Sequence, residues 1–207
     1  MAGDQAFERD SRVQEVYLGG PSPLRRLMLS SMASISYPGG QAEQLLLAPQ
    51  ELRTADPSFA NEVYNGHFGL AGKLAELGAD SPFEIKPPSA NWARDLYGFG
   101  WLRHLRAADS ELSREQAKAL VHDFIRLRRQ VQGLAWQPEI VARRVISWLS
   151  NSVLILDAGE PQAYESFLKA LTGQLRYLSA SYRDAPDGVP RLLSLMGLLY
   201  AGLCIAD

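Results

Sequence analysis

Two adjacent arginines, Arg143 and Arg144, follow Glu139 in a stretch bounded by Trp136 and Trp148. A guanidinium is a planar fork that meets a carboxylate or a sulfate at two points. An indole face can stack on a ring of the same ligand. Upstream, Trp101-Leu102-Arg103-His104 places an indole, a cation and an imidazole together. Arg143, Arg144, Trp136, His104 and Trp101 are therefore the candidate binding residues for an acidic ligand. Each also has a plainer role. Glu139 and Arg143 are four apart, the spacing of a solvated ion pair on a helix, worth a few tenths of a kcal/mol. Trp92, Trp101, Trp136 and Trp148 are large apolar groups that suit a core. His104 can be structural. His67 and His122 have no partner at metal-ligand spacing, so no metal site is assigned. Arg126, Arg128 and Arg129 lie near a helix C-terminus, where the dipole favours cations. No catalytic residue and no cofactor is assigned.

These residues need helices to hold them. Pro138 suits a first helical turn, where its missing N–H costs nothing. Val141, Val145, Trp148 and Leu149 then form an apolar stripe at helical spacing. This helix is expected to run to about Asp157 and to end at Gly159 and Pro161. Ser89 is expected to cap a helix reaching Ala107, weakened at its centre by Gly98 and Gly100. Ser113 with Gln116 reads as a capping box, followed by a stripe of Ala117, Leu120, Val121, Phe124, Leu127 and Val131 that Gly133 ends. A further helix carries Tyr164, Phe167, Leu168, Leu171, Leu175, Leu178 and Tyr182. A last one starts at Pro190 after the Asp184–Gly188 turn. Before Ser89 the chain is less regular. Asp56-Pro57 starts a short helix over Phe59–Tyr64, stopped by Asn65-Gly66. Phe68–Lys73 is glycine-rich and extended, and pairs as a hairpin with Leu74–Leu77. Residues 1–23 have linker composition, and Leu24–Ile35 fit a short basic amphipathic helix. The fold class is thus all-α with a small irregular or extended N-terminal part. Residues 1–44 form the irregular segment, and residues 45–207 form antiparallel helical hairpins.

The chain has 207 residues, 46% of them hydrophobic, enough for one domain or a domain and a half. Its 21 Lys and Arg against 23 Asp and Glu leave a net charge of −2, which points away from nucleic acid and from an acidic membrane surface. Cys204 stands alone, so no intrachain disulfide can form. Residues 1–20 hold no apolar run behind a basic start. The expectation is a cytoplasmic chain, or a periplasmic one if the native start lies upstream. No run reaches the roughly 18 apolar residues of a membrane span.

Trp136, Glu139, Arg143 and Trp148, preceded by the Gly98-Phe-Gly-Trp-Leu-Arg-His-Leu105 block, resemble the N-terminal helical domain of the heparinase II/III-like polysaccharide lyases. The resemblance runs from about Leu45 to the end. It implies an incomplete (α/α) toroid, with further helices and a β-sandwich beyond this chain. It also implies a bacterial lyase that acts by β-elimination on uronate-containing, heparin- or heparan-like glycosaminoglycan, with acidic polysaccharide as the partner. In such lyases an asparagine in a Gly-Asn-His motif neutralises the uronate carboxylate. The matching place here reads Gly188-Val189-Pro190, and neither valine nor proline can donate from its side chain. No catalytic residue therefore carries over, and residues 1–207 alone are expected to be inactive. The last helix is apolar on every face, from Leu192 to Ile205, so later helices are expected to cover it. Uncovered, it is expected to self-associate through Leu195, Leu199 and Leu203. The alternative functions are a non-catalytic binder of acidic carbohydrate and a helical interaction scaffold.

Overall fold

Pro138, Ser89 and Ser110 start three of the helices that carry the molecule, each for a local reason. The computed structural model describes residues 44–78, 80–131, 133–156 and 161–206. The helix expected at Leu24–Ile35 and the linker before it lie outside the described residues.

The described chain is mostly helical. A two-residue strand, β1 (Gln44–Leu45), opens it, and α1 (Ser58–Tyr64) follows. Strands β2 (His67–Leu70) and β3 (Lys73–Glu76) form an antiparallel hairpin, with His67 opposite Glu76 and Leu70 opposite Lys73. Its turn residues Ala71 and Gly72 both have positive φ, 49° and 69°, which is the turn whose twist matches the strands. The short helix falls where the sequence puts it, and a hairpin forms as expected, but its turn at Ala71-Gly72 lies inside the segment read as the first strand, so Lys73 opens the second strand.

Helix α2 (Ala90–Gly98) begins as expected: the Trp92 N–H donates to Ser89 Oγ at 3.1 Å. It does not continue to Ala107. Phe99 turns to a left-handed φ of 56°, and the chain restarts as α3 (Leu102–Ala108). The glycines on either side of Phe99 let the backbone break, and packing holds the break. Phe99 is fully buried, with its ring centroid 5.1–5.6 Å from those of Phe83, Trp101, Phe124 and Trp148. A bulky residue keeps such a conformation only where its surroundings over-determine it. Helix α4 (Glu111–Leu127) has its capping box one turn earlier than the sequence suggests. Ser110 and Ser113 exchange side-chain-to-backbone bonds, at 3.1 Å each way, and Gln116 is not part of it. A serine at the third helical position serves because its hydroxyl reaches back to the cap.

A 3-10 turn (Gly133–Trp136) leads into α5 (Pro138–Ser150), which stops at Asn151 and resumes as α6 (Ser152–Ile155), short of the Asp157 end expected for one helix. Asn151 donates its amide to Ser147 O at 2.9 Å, so its side chain competes with the ladder at the break. Helix α7 (Pro161–Ser181) and α8 (Val189–Cys204) complete the set. After α8, strand β4 (Ile205–Ala206) pairs antiparallel with β1, Gln44 against Ala206. Between β3 and β4 no strand interrupts the helices among the described residues.

Helix α5 is the hub. Nearly all its residues are buried, and α2, α7 and α8 pack around it. A chain of aromatic contacts runs beside it from Phe59 through Phe68, Trp101, Phe99 and Trp148 to Phe167. Helix α8 meets α5 with small residues: a Cβ on Gly197 would lie 2.9 Å from Ala142 Cβ. Its leucines face the other way. Leu192, Leu195, Leu199 and Leu203 are 45–61% exposed. The all-round apolar character of α8 thus resolves into a buried face of Ser194, Gly197, Ala201 and Cys204 and an exposed leucine face.

Candidate functional site

An open cleft of about 350 Å³ lies where the β2–β3 hairpin, α2, the α2–α3 turn, α3 and α5 converge. Four arginines line it: Arg53 from the N-terminal loop, Arg94 from α2, Arg103 from α3 and Arg143 from α5. His104, Asp95 and Trp101 complete the polar part, with the backbone of Gly69–Ala71 along one side. The two glycines read as helix-weakening are part of the cleft wall. A Cβ on Gly98 would sit 3.5 Å from Arg143 Cβ, and one on Gly100 only 3.2 Å from Arg103 Nη1. Their missing side chains let the guanidinium stems come close.

Each arginine is held differently. Arg53 forms a two-point pair with Glu51, Nε to Oε1 at 2.8 Å and Nη2 to Oε2 at 2.6 Å. That pair holds the Glu51 carboxyl below its ordinary range. Arg103 donates to the carbonyl oxygens of Thr54, at 2.9 Å, and of Gly100. Arg143 is exposed, and among the described residues it donates no hydrogen bond and joins no ion pair within 4.0 Å. It does not pair with Glu139. Glu139 is buried at the start of α5, and its Oε2 has no hydrogen-bond partner. The expected solvated pair fails because residues at that spacing still diverge when one side chain turns into the core and the other into the cleft.

Asp95 is the acid among the lining residues. Its side chain reaches solvent, yet the surrounding protein raises its carboxyl above the ordinary value, against the pull of Arg143 and Arg103. His104 Nδ1 accepts the Asp56 N–H at 2.8 Å, which places the ring proton of the neutral form on Nε2. Burial, aided by the neighbouring Arg103 charge, holds His104 below the usual imidazole value. The cleft therefore presents fixed positive charge with a neutral imidazole beside it. Such a lining suits an anionic group met by a guanidinium fork, and Arg143 is the arginine whose fork is unengaged among the described residues.

The cleft brings together Arg143, His104 and Trp101 of the five residues singled out in the sequence, and it leaves out Arg144 and Trp136. Arg144 is fully buried. Its guanidinium donates to Gln174, to Tyr97 O at 2.9 Å and to Ala135 O at 3.1 Å, and lies 4.6 Å from the Phe124 ring centroid. Its Nη2 has no partner, and burial pulls its pKa down to about 9. It is a structural cation, still charged at neutral pH, that ties α2 and α7 to α5. One residue along a helix turns the side chain by about 100°, which separates it from Arg143. Trp136 packs edge-on against Tyr177, 5.2 Å between centroids, and donates Nε1–H to Val131 O at 2.8 Å. Trp101 reaches the cleft from behind: it is 2% exposed, and its Nε1–H donates to Leu96 O at 3.0 Å.

Arg53, Arg94 and Asp95 carry no sequence signal that links them to Arg143, because they come from separate elements. Arg103 was visible as the neighbour of His104. Among the described residues, no group of three or more His, Cys, Asp or Glu could hold a metal ion.

No protein-family model matches the chain. No solved structure matches it. Over 104 residues, half of the chain, it is 33% identical to FtsZ-localized protein C of Caulobacter vibrioides (strain NA1000 / CB15N). The match covers 18% of that protein, so this chain spans about a fifth of the relative's length. This finding overturns the expectation of a polysaccharide lyase degrading glycosaminoglycan: the similarity is to a protein named for where it localises.

Proposed function

We propose that this chain is a helical binding module of a protein that works at the bacterial division site, and that its cleft holds an anionic group of a partner. The observation that carries the ligand chemistry is the convergence of Arg53, Arg94, Arg103 and Arg143 in one cleft of a chain whose net charge is −2. Local positive charge against an overall negative balance serves recognition rather than bulk attraction. The division-site assignment is supported by the similarity to FtsZ-localized protein C. As to the larger arrangement, an incomplete toroid of helical hairpins, as in the helical domain the sequence resembles, is the proposed context. The short connections between consecutive helices support it. An acidic polysaccharide, the partner that resemblance implies, is one anionic ligand with the right chemistry.

The test is a fluorescent fusion of residues 1–207 in cells whose FtsZ ring is labelled. The fusion is expected to concentrate at the ring. Arg103→Glu with Arg143→Glu, checked for native circular dichroism, is expected to reduce that enrichment, whereas Arg129→Glu is not. A fusion that spreads evenly, or a double variant that localises as well as the parent, would overturn the reading.

A further inference from the structure

We propose that the cleft receives an extended peptide bearing aspartate or glutamate, which adds as a third strand to the outer edge of β2. The inference rests on the anion-binding reading above and names the chemistry of the partner.

Three observations carry it. The first is the strand edge. The two-residue turn makes Leu70 and Lys73 the closing hydrogen-bonded pair of the hairpin. Pairs alternate along an antiparallel ladder, so Gly69, opposite Leu74, belongs to a non-hydrogen-bonded pair. Its N–H and C=O therefore point out of the hairpin, and Gly69 lines the cleft. An outward donor and acceptor on a strand edge are what an added strand requires.

The second is charge. Arg94, Arg103 and Arg143 stand on the helical walls facing that edge. Alternate side chains of an extended peptide share one face, so every second residue would face the guanidiniums. Carboxylates there would be met by charge-assisted donors.

The third is the place of the tryptophans, which selects peptide over saccharide. A sugar ring is gripped by an exposed aromatic face. Trp92, Trp101 and Trp148 are at most 2% exposed, and Trp136 packs on Tyr177 outside the cleft lining. The cleft has guanidiniums, the carboxylate of Asp95, and a backbone edge at Gly69 with the Glu62 carboxylate over it, and its one indole, Trp101, offers no exposed face.

The experiment measures fluorescence anisotropy of a short labelled peptide alternating aspartate with valine, titrated with the full chain. Two further probes are the same peptide with alternate backbone nitrogens methylated, and an oligogalacturonate of matched charge. The aspartate peptide is expected to bind, and Arg143→Glu to weaken it at least about tenfold, equal to about 1.4 kcal/mol, while Arg129→Glu leaves it unchanged. Methylation removes donors from the added strand and is expected to weaken binding by about the same factor. The oligogalacturonate is expected to bind more weakly than the peptide. If the methylated peptide binds as tightly, or the oligogalacturonate more tightly, with Arg143 still required, strand addition is wrong and the anion-binding reading stands. If no probe shows Arg143-dependent binding, both fall.

Discussion

Arg143 and Arg144 are neighbours in sequence and opposites in the fold. One lines an open cleft, and the other is a buried cation held by two backbone carbonyls and Gln174. Residue type alone did not separate them, since both are equally good anion ligands on paper. His104 shows the same dependence on surroundings. Its folded value lies below the ordinary imidazole value of 6.5, chiefly through burial and then through the Arg103 charge. The unfolded chain therefore takes up the proton first as pH falls. The contribution of neutral His104 is complete above the ordinary value and is lost as pH drops through the lower folded one. Protonation also removes the acceptor for the Asp56 N–H. Melting temperature is thus expected to fall more steeply between neutral and mildly acid pH in the parent than in His104→Gln. Parallel curves would show that His104 does not carry this dependence.

Helices in this protein are cut by side chains as much as by glycine and proline. Gly98 and Gly100 permit a break, but the left-handed Phe99 between them is fixed by rings from α4 and α5, which no local pattern contains. The α5–α8 crossing is decided in the same way. A glycine inside a helix usually weakens it, yet Gly197 allows α8 to approach Ala142 of α5 and Leu178 of α7. A Cβ there would stand 2.9 Å from Ala142 Cβ and 3.1 Å from Leu178 Cδ2. Gly197→Val is expected to lower stability by about 1–3 kcal/mol, the usual cost of overpacking, despite its removing a glycine from a helix. Chemical denaturation of the two proteins measures this. A variant as stable as the parent would mean that the α5–α8 contact yields to added volume.

The molecule buries its aromatic core around α5 and leaves the leucine face of α8 in water. Leu199 and Leu203 are 61% and 60% exposed, and Leu46, bonded through its N–H to Cys204 O at 2.7 Å, brings another exposed leucine to the same end. Burying a leucine contributes about 1.5–3 kcal/mol, and contiguous apolar surface of this kind promotes association. Residues 1–207 are therefore expected to self-associate, and Leu199→Glu with Leu203→Glu to shift the chain toward monomer. Light scattering across a concentration series is the measurement. A parent that stays monomeric at high concentration would show that the face is harmless in isolation.

The existence of most helices, a short β-hairpin before them and the Ser89 cap follow from the sequence because they depend on neighbours within a turn or two: apolar spacing, a side-chain acceptor, a turn that tolerates positive φ. The leucine-rich character of α8 was legible for the same reason. The grouping of Arg53, Arg94, Arg103 and Arg143 was not, because these residues come from four separate elements and share no local period. The burial of Arg144 and of Glu139 was equally invisible, since helical spacing tells which residues share a face but not which face the neighbours will cover. Only the packing of α2, α7 and α8 around α5 decided that, by taking one arginine out of water and leaving its neighbour in the cleft.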